Sequence, residues 1–193
     1  MSFLASHTFS AVTLFSILTV IGQIVSVVLF FCLVLERVRR EPSSIVTWCA
    51  RYGLILMFIV ALTATLGSLF FSDIAGWTPC KDCWFQRIFM YPQVFLLAVA
   101  LWRRDRTIAY SIIILSLVGM IISIDHYVDQ VSLALHPVSA DNPLVPCDGT
   151  GVSCAKTQIH FTFGYITLPM MALTGFLLNI LGSFALLRRK TAA

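Results

Sequence analysis

Residues 9–35 contain no charged side chain. Wound as an α-helix at about 1.5 Å per residue, a run of this length crosses the ~30 Å hydrocarbon core of a bilayer. Four more apolar runs follow, at about 52–72, 84–102, 107–124 and 161–187, of which 84–102 and 107–124 are at the short end of what a membrane span needs. Hydrophobic residues make up 59% of the 193 and charged residues only 11%, far too few for the surface of a soluble domain. The pattern predicts an all-α membrane protein, one domain over 1–193. In it a four-helix transmembrane bundle (45–193) carries an additional N-terminal transmembrane helix with its following loop (1–44).

The net charge of +4 belongs to this arrangement and not to a nucleic-acid surface, because the basic residues sit in short clusters between apolar runs. The first run is followed by its charges, in "ERVRRE", whereas a secretory signal carries them in front of a shorter core. It therefore reads as a retained helix. With the first loop placed in the cytoplasm, Arg37, Arg39, Arg40, Arg51, Arg103, Arg104, Arg106, Arg188, Arg189 and Lys190 all lie inside. Only Lys81, Arg87 and Lys156 of the thirteen basic residues do not. The N-terminus then faces out. So do a short segment at 73–83 and a long one at about 125–160, in which "YVDQVSLALH" is either plain loop or a short interfacial helix.

This orientation sorts the six cysteines. Cys32 and Cys49 fall toward the cytoplasmic ends of spans, where they read as packing residues. Cys80 and Cys83 lie on the short outer segment, Cys147 and Cys154 on the long one. Two structural disulfides, a four-thiolate zinc site and two exchanging redox pairs all remain compatible with four external cysteines. A bridge across only two residues is strained and suits an exchangeable disulfide, and the spacing of Cys147 and Cys154 lacks a zinc-knuckle pattern. Thr78 and Pro79 suit the start of a helix, which would put Cys80 and Cys83 in its first turns, where the positive end of the helix dipole stabilises thiolate. Arg87 follows Cys83 by four residues and so shares its helix face. An arginine one turn inside a span marks either a snorkelling side chain or a functional charge, one able to hold a thiolate or the oxygen of an electron acceptor. Pro92 and Pro169 read as possible helix kinks within the third and fifth spans.

"PCKDCWFQRIFMYP", the pair Asp125–His126, the second external cysteine pair and "FGYITLP" together resemble the DsbB family, most closely its Gram-positive BdbC-type branch, over about residues 50–187. The resemblance implies a thiol:quinone oxidoreductase of the bacterial cytoplasmic membrane. By it, Cys80 and Cys83 are the quinone-linked pair, and Cys147 and Cys154 meet a DsbA-like, thioredoxin-fold thiol oxidase. Arg87 and His126 are placed near the quinone, a ubiquinone or menaquinone. The chain departs from the family pattern in its extra first span and in the charged Lys81 and Asp82 between the cysteines. Two other readings stand beside this one. A vitamin K epoxide reductase-like enzyme would carry its Cys-x-x-Cys after the loop pair, whereas here it comes first; the other is a structural or metal-binding subunit with inert bridges.

Overall fold

The computed structural model describes residues 2–135 and 162–188. They form α1 (Ser2–Arg39), α2 (Ser44–Leu69) continued by a π-helical turn (Phe70–Ile74), α3 (Lys81–Arg103), α4 (Ile108–Leu135) and α5 (Leu168–Arg188). Each of the five is long and apolar enough to cross a membrane. Short connections join α1 to α2, α2 to α3 and α3 to α4, which favours antiparallel neighbours. Two helices end on an arginine in the left-handed conformation, Arg40 (φ 58°) and Arg104 (φ 54°). Glycine adopts that cap more easily, but a basic side chain there complements the negative end of the helix dipole.

Helices α2, α3, α4 and α5 form a ring in which each packs on the next and α5 closes on α2, while α1 lies outside it against α5 and, to a lesser extent, α2. The expected four-helix bundle with one additional helix is therefore what folds. Its interior carries more small and polar residues than that of a water-soluble bundle, beside buried Met57, Leu97, Ile112, Phe176 and Leu186. The buried stripe of α4 is Ile112, Ser116, Gly119, Ser123, His126 and Gln130, and that of α3 is Gln86, Met90, Gln93, Leu97 and Ala100. Both step by alternating fours and threes, the spacing of a helix seam. Lipid already solvates Leu and Ile, so small and polar residues take the inside, where backbones approach closely and polar groups find partners. A Cβ on Gly119 would meet Cζ of Phe176 at 2.2 Å. Near mid-bundle Asn179 Nδ2 donates to Gln93 Oε1 at 2.8 Å and Ser116 Oγ donates to the same oxygen at 3.2 Å, which ties α3, α4 and α5 together. Cys32 and Cys49 pack against Leu29, Leu33 and Val46, as ordinary apolar residues would.

Three boundaries differ from the sequence reading. Helix α2 starts at Ser44 and not near residue 52, so Arg51 lies within it, exposed, its guanidinium 5.6 Å over the Tyr52 ring. Helix α4 does not stop at 124: it continues unbroken to Leu135, and 127–135 is neither loop nor a separate interfacial helix. The polar residues that suggested a loop alternate by face, with His126 and Gln130 buried and Asp125 and Asp129 exposed. Helix α5 begins at Leu168 and not near 161, because Pro169, which has no N–H to donate, is accommodated in a first turn and not in a helix interior. Before it, Thr162 and Ile166 exchange two backbone hydrogen bonds of 2.9 Å around Phe163 (φ 53°) and Gly164 (φ 81°).

Candidate active site

The site lies at the end of the bundle where α2 finishes, α3 and α5 begin, and α4 makes its last turns. Helix α3 begins two residues later than Thr78 and Pro79 suggested. Cys80, in extended conformation (ψ 178°), is the residue before the first helical turn, and the backbone N–H of Trp84 donates to its carbonyl at 3.2 Å. Pro79 fits the extended approach as well as it would fit a first helical position. Cys83 is then the third residue of the helix, where thiolate charge faces the unpaired N–H groups of the first turn.

The two sulfurs stand 3.2 Å apart. Closing the disulfide requires a movement of only about 1 Å. Their surroundings differ. Cys80 is 3% exposed, and its Sγ lies 3.7 Å from Nε2 of His126, which is itself 1% exposed. The imidazole is held by two glutamines: Gln86 Nε2 lies 3.3 Å from Nδ1 and Gln130 Nε2 lies 3.4 Å from Nε2. A neutral imidazole accepts at only one nitrogen. With Gln86 donating to Nδ1, the ring proton sits on Nε2 and is directed toward the Cys80 sulfur. Turning the Gln130 amide end for end brings its Oε1, buried and otherwise without a partner among the described residues, onto that same N–H. Nε2 of His126 is thus within reach of both the Cys80 sulfur and the Gln130 amide.

Cys83 instead lines a cavity of about 310 Å³ between α1, α2, α3 and α5. Arg87 lines it too and is the one charged side chain among its described lining residues. The guanidinium is not loose: Nε donates to Ser68 Oγ at 2.9 Å, a terminal nitrogen donates to the Ser68 carbonyl at 3.1 Å, and the group sits 5.1 Å over the Trp84 ring. Tyr91 Oη donates to the same Ser68 hydroxyl at 3.3 Å. Ser68 precedes the π-helical turn by two residues, where the regular carbonyl ladder of α2 is interrupted. Ser68 and Trp84 thereby hold the Arg87 charge at the cavity edge.

The structure thus brings Cys80, Cys83, Arg87 and His126 to one end of the bundle and divides them, His126 beside Cys80 and Arg87 beside the Cys83 cavity. His126 is not among the described lining residues of that cavity. Cys147 and Cys154 lie outside the described residues. Sequence reading did not single out Gln86, Gln130 or Ser68. The signal for the glutamines was present, since Gln86 is three residues after Cys83 and Gln130 four after His126, each on the same helix face.

A family model described as "Disulfide bond formation protein DsbB" matches residues 50–186. "Disulfide bond formation protein C" of Bacillus subtilis (strain 168) is 40% identical over 124 residues, 64% of this chain and 84% of the relative. "Probable disulfide formation protein C 1" of Bacillus anthracis is 40% identical over 140 residues, 72% of this chain and 94% of the relative. "Probable disulfide formation protein" of Metapseudomonas resinovorans is 35% identical over 151 residues, 78% of this chain and 97% of the relative. No solved structure matches the chain significantly.

Proposed function

The chain belongs to the DsbB family of disulfide bond formation proteins, and from that premise we propose that it reoxidises an extracytoplasmic, DsbA-like thiol oxidase and delivers the electrons to a membrane quinone. The observation that carries this reading is the division of the cysteine pair. Two sulfurs 3.2 Å apart face different chemistries, Cys80 a buried histidine and Cys83 an apolar cavity with one fixed cation.

The cavity suits a quinone headgroup. Its volume is at the lower end of small-molecule pockets, its walls are mostly apolar, and its single cation is placed to donate hydrogen bonds to a ring oxygen and to stabilise negative charge on it. Arg87, with Tyr91 and Trp77 beside it, would hold such a ring. When bound, a quinone supplies the two-electron, two-proton sink: the Cys80–Cys83 dithiol becomes a disulfide and the quinone a hydroquinone.

The remaining steps are thiol–disulfide exchange. A partner thiolate attacks Cys147 of the Cys147–Cys154 disulfide. Cys154, released, attacks Cys80 of the Cys80–Cys83 disulfide, and Cys83 leaves as the thiolate, beside the first-turn N–H groups of α3. The partner's second thiol then attacks the partner–Cys147 bond, so that the partner leaves as its disulfide and Cys147 as a thiolate. Cys147 attacks Cys154 of the Cys154–Cys80 bond, which re-forms Cys147–Cys154 and releases Cys80, whose proton His126 manages, taking it from the thiol or donating to the thiolate. In this orientation the N-terminus and both cysteine segments face outward and the C-terminus faces the cytoplasm, with the basic clusters inside.

The test is to purify the chain with lipid and follow oxidation of a reduced thioredoxin-fold oxidase with and without added quinone. Quinone-dependent oxidation that needs all four external cysteines is the expected result. A second reading has one observation in its favour. The ligand atoms of Cys80, Cys83 and His126 all lie within 4.8 Å of one another, a set able to hold a thiophilic metal. Stoichiometric metal in the purified chain, with no quinone-dependent turnover, would establish that reading instead.

A further inference from the structure

Helix α1 lies outside the family match, which begins at residue 50. Yet α1 is built into the acceptor cavity. Phe15, Leu18 and Thr19 form part of its wall. The Phe15 ring lies on the α2 backbone at Gly67, where a Cβ would meet its Cε1 and Cζ at 2.7 Å. That ring is 5.6 Å from Phe71, which stacks on Trp77 at 4.9 Å, so a row of three aromatics runs from α1 to the segment leading into Cys80.

The helix is also held in register. Its inner stripe is small, and Ser16, Thr19 and Ser26 turn their hydroxyls onto their own helix, donating to Val12, Phe15 and Gly22 carbonyls at 2.7–2.8 Å. Gly22 lets α1 approach α5 so closely that a Cβ there would lie 3.0 Å from Thr174 Cγ2. Tyr165 Oη donates to Gln23 Oε1 at 2.6 Å. A helix seated by close backbone contact and a cross-chain hydrogen bond is a fixed wall and not a loose anchor.

We propose that Phe15 and Leu18 are specificity-determining residues for the acceptor, closing the α2–α5 side of the cavity and limiting the size of the quinone ring it admits. The proposal rests on the acceptor reading above and extends it to a helix that the family core lacks. A wall at this place acts on shape: a fused two-ring naphthoquinone is penalised relative to a one-ring benzoquinone bearing the same short side chain.

The test uses the full chain in lipid nanodiscs and takes, for those two quinones, the ratio of affinities (1/Kd), read from quenching of tryptophan fluorescence (Trp77 lines the cavity) in the Cys83→Ser chain, and the ratio of kcat/KM, both of which cancel differences in the amount of active protein. Phe15→Ala opens the wall and should raise both naphthoquinone-to-benzoquinone ratios by about tenfold, the scale of discrimination that a small volume change in an apolar pocket produces. Leu18→Trp, at a position already 43% exposed and therefore tolerant of bulk, should lower them. Ile24→Ala, on the lipid-facing side of the same helix and 59% exposed, should leave them unchanged. If the wild type reduces quinones but neither Phe15→Ala nor Leu18→Trp moves these ratios, α1 does not set specificity. If the wild type reduces neither quinone, the acceptor reading fails and this proposal with it.

Discussion

His126 Nε2 stands 3.7 Å from Cys80 Sγ although 46 residues separate them in the chain. The contact exists because α4 carries its buried stripe two turns past the point where its sequence turns polar. In the proposed mechanism it makes the histidine the proton partner of the Cys80 sulfur. His126→Phe keeps the bulk and removes the proton site, and it should slow thiol–disulfide exchange at Cys80 by about 10²-fold, the usual scale of a lost general acid–base. The KM for quinone should change little. Stopped-flow exchange measured beside steady-state quinone kinetics checks this, and a raised quinone KM with normal exchange would place His126 at the acceptor instead.

Arg87→Met should have the opposite profile. The guanidinium is fixed by Ser68 and Trp84 at the edge of the cavity that Cys83 lines. In the proposed mechanism, removing it withdraws the charge that would stabilise a Cys83 thiolate and negative charge on an acceptor oxygen. Loss of one such donor costs up to about 10²-fold, near 3 kcal/mol, in a dry site, and less here because Arg87 is only half-buried. Quinone reduction should slow and its KM rise, with near-normal formation of the partner mixed disulfide. Equal slowing of both half-reactions would mean that Arg87 serves folding alone.

Gln93→Ala tests the polar crosslink at the bundle centre. It leaves Asn179 and Ser116 without the acceptor they share. Hydrogen bonds between membrane helices contribute about 1–2 kcal/mol at most, and the lost amide also leaves a void, so a loss of about 2 kcal/mol is expected. Thermal unfolding in detergent should show a lower Tm, while the kcat of the folded fraction is preserved. An unchanged Tm would show that the network adds no stability.

The five spans were legible because a membrane helix must be apolar over its whole length, and the uncharged run at 9–35 leaves no other fate. The inner faces were not. In α4 the lipid side carries Ile114 and Ile121 while the buried side carries Ser116, Gly119 and Ser123, so the familiar rule of apolar inside points the wrong way. The same inversion hid Gln86 and Gln130, and it made Asp125 look like the start of a loop. Cys80, Cys83 and Arg87 were legible because their spacing is local. The role of α1 in the cavity wall was not, since the contact between Phe15 and Gly67 spans the fold and leaves no periodic trace.

The relay order can be trapped. Cys154 is the neighbouring thiol able to break a bond between Cys147 and the partner, so in Cys154→Ala the bond formed when the Cys147 thiolate attacks the disulfide of the oxidised partner should accumulate as a mixed disulfide visible on non-reducing gels. An adduct that survives loss of Cys147 but disappears with loss of Cys80 would reverse the assignment of the two pairs.

The central claim is that the Cys80–Cys83 dithiol reduces a quinone directly from the Cys83 side. Its most direct measurement is anaerobic: the fully reduced chain, with Cys147 and Cys154 replaced by alanine, is mixed with quinone, and hydroquinone and protein thiols are counted together. The account predicts one hydroquinone formed for each Cys80–Cys83 disulfide, and none with Cys83→Ser. Hydroquinone formation that persists in Cys83→Ser, or a dithiol that quinone leaves unoxidised, would contradict it.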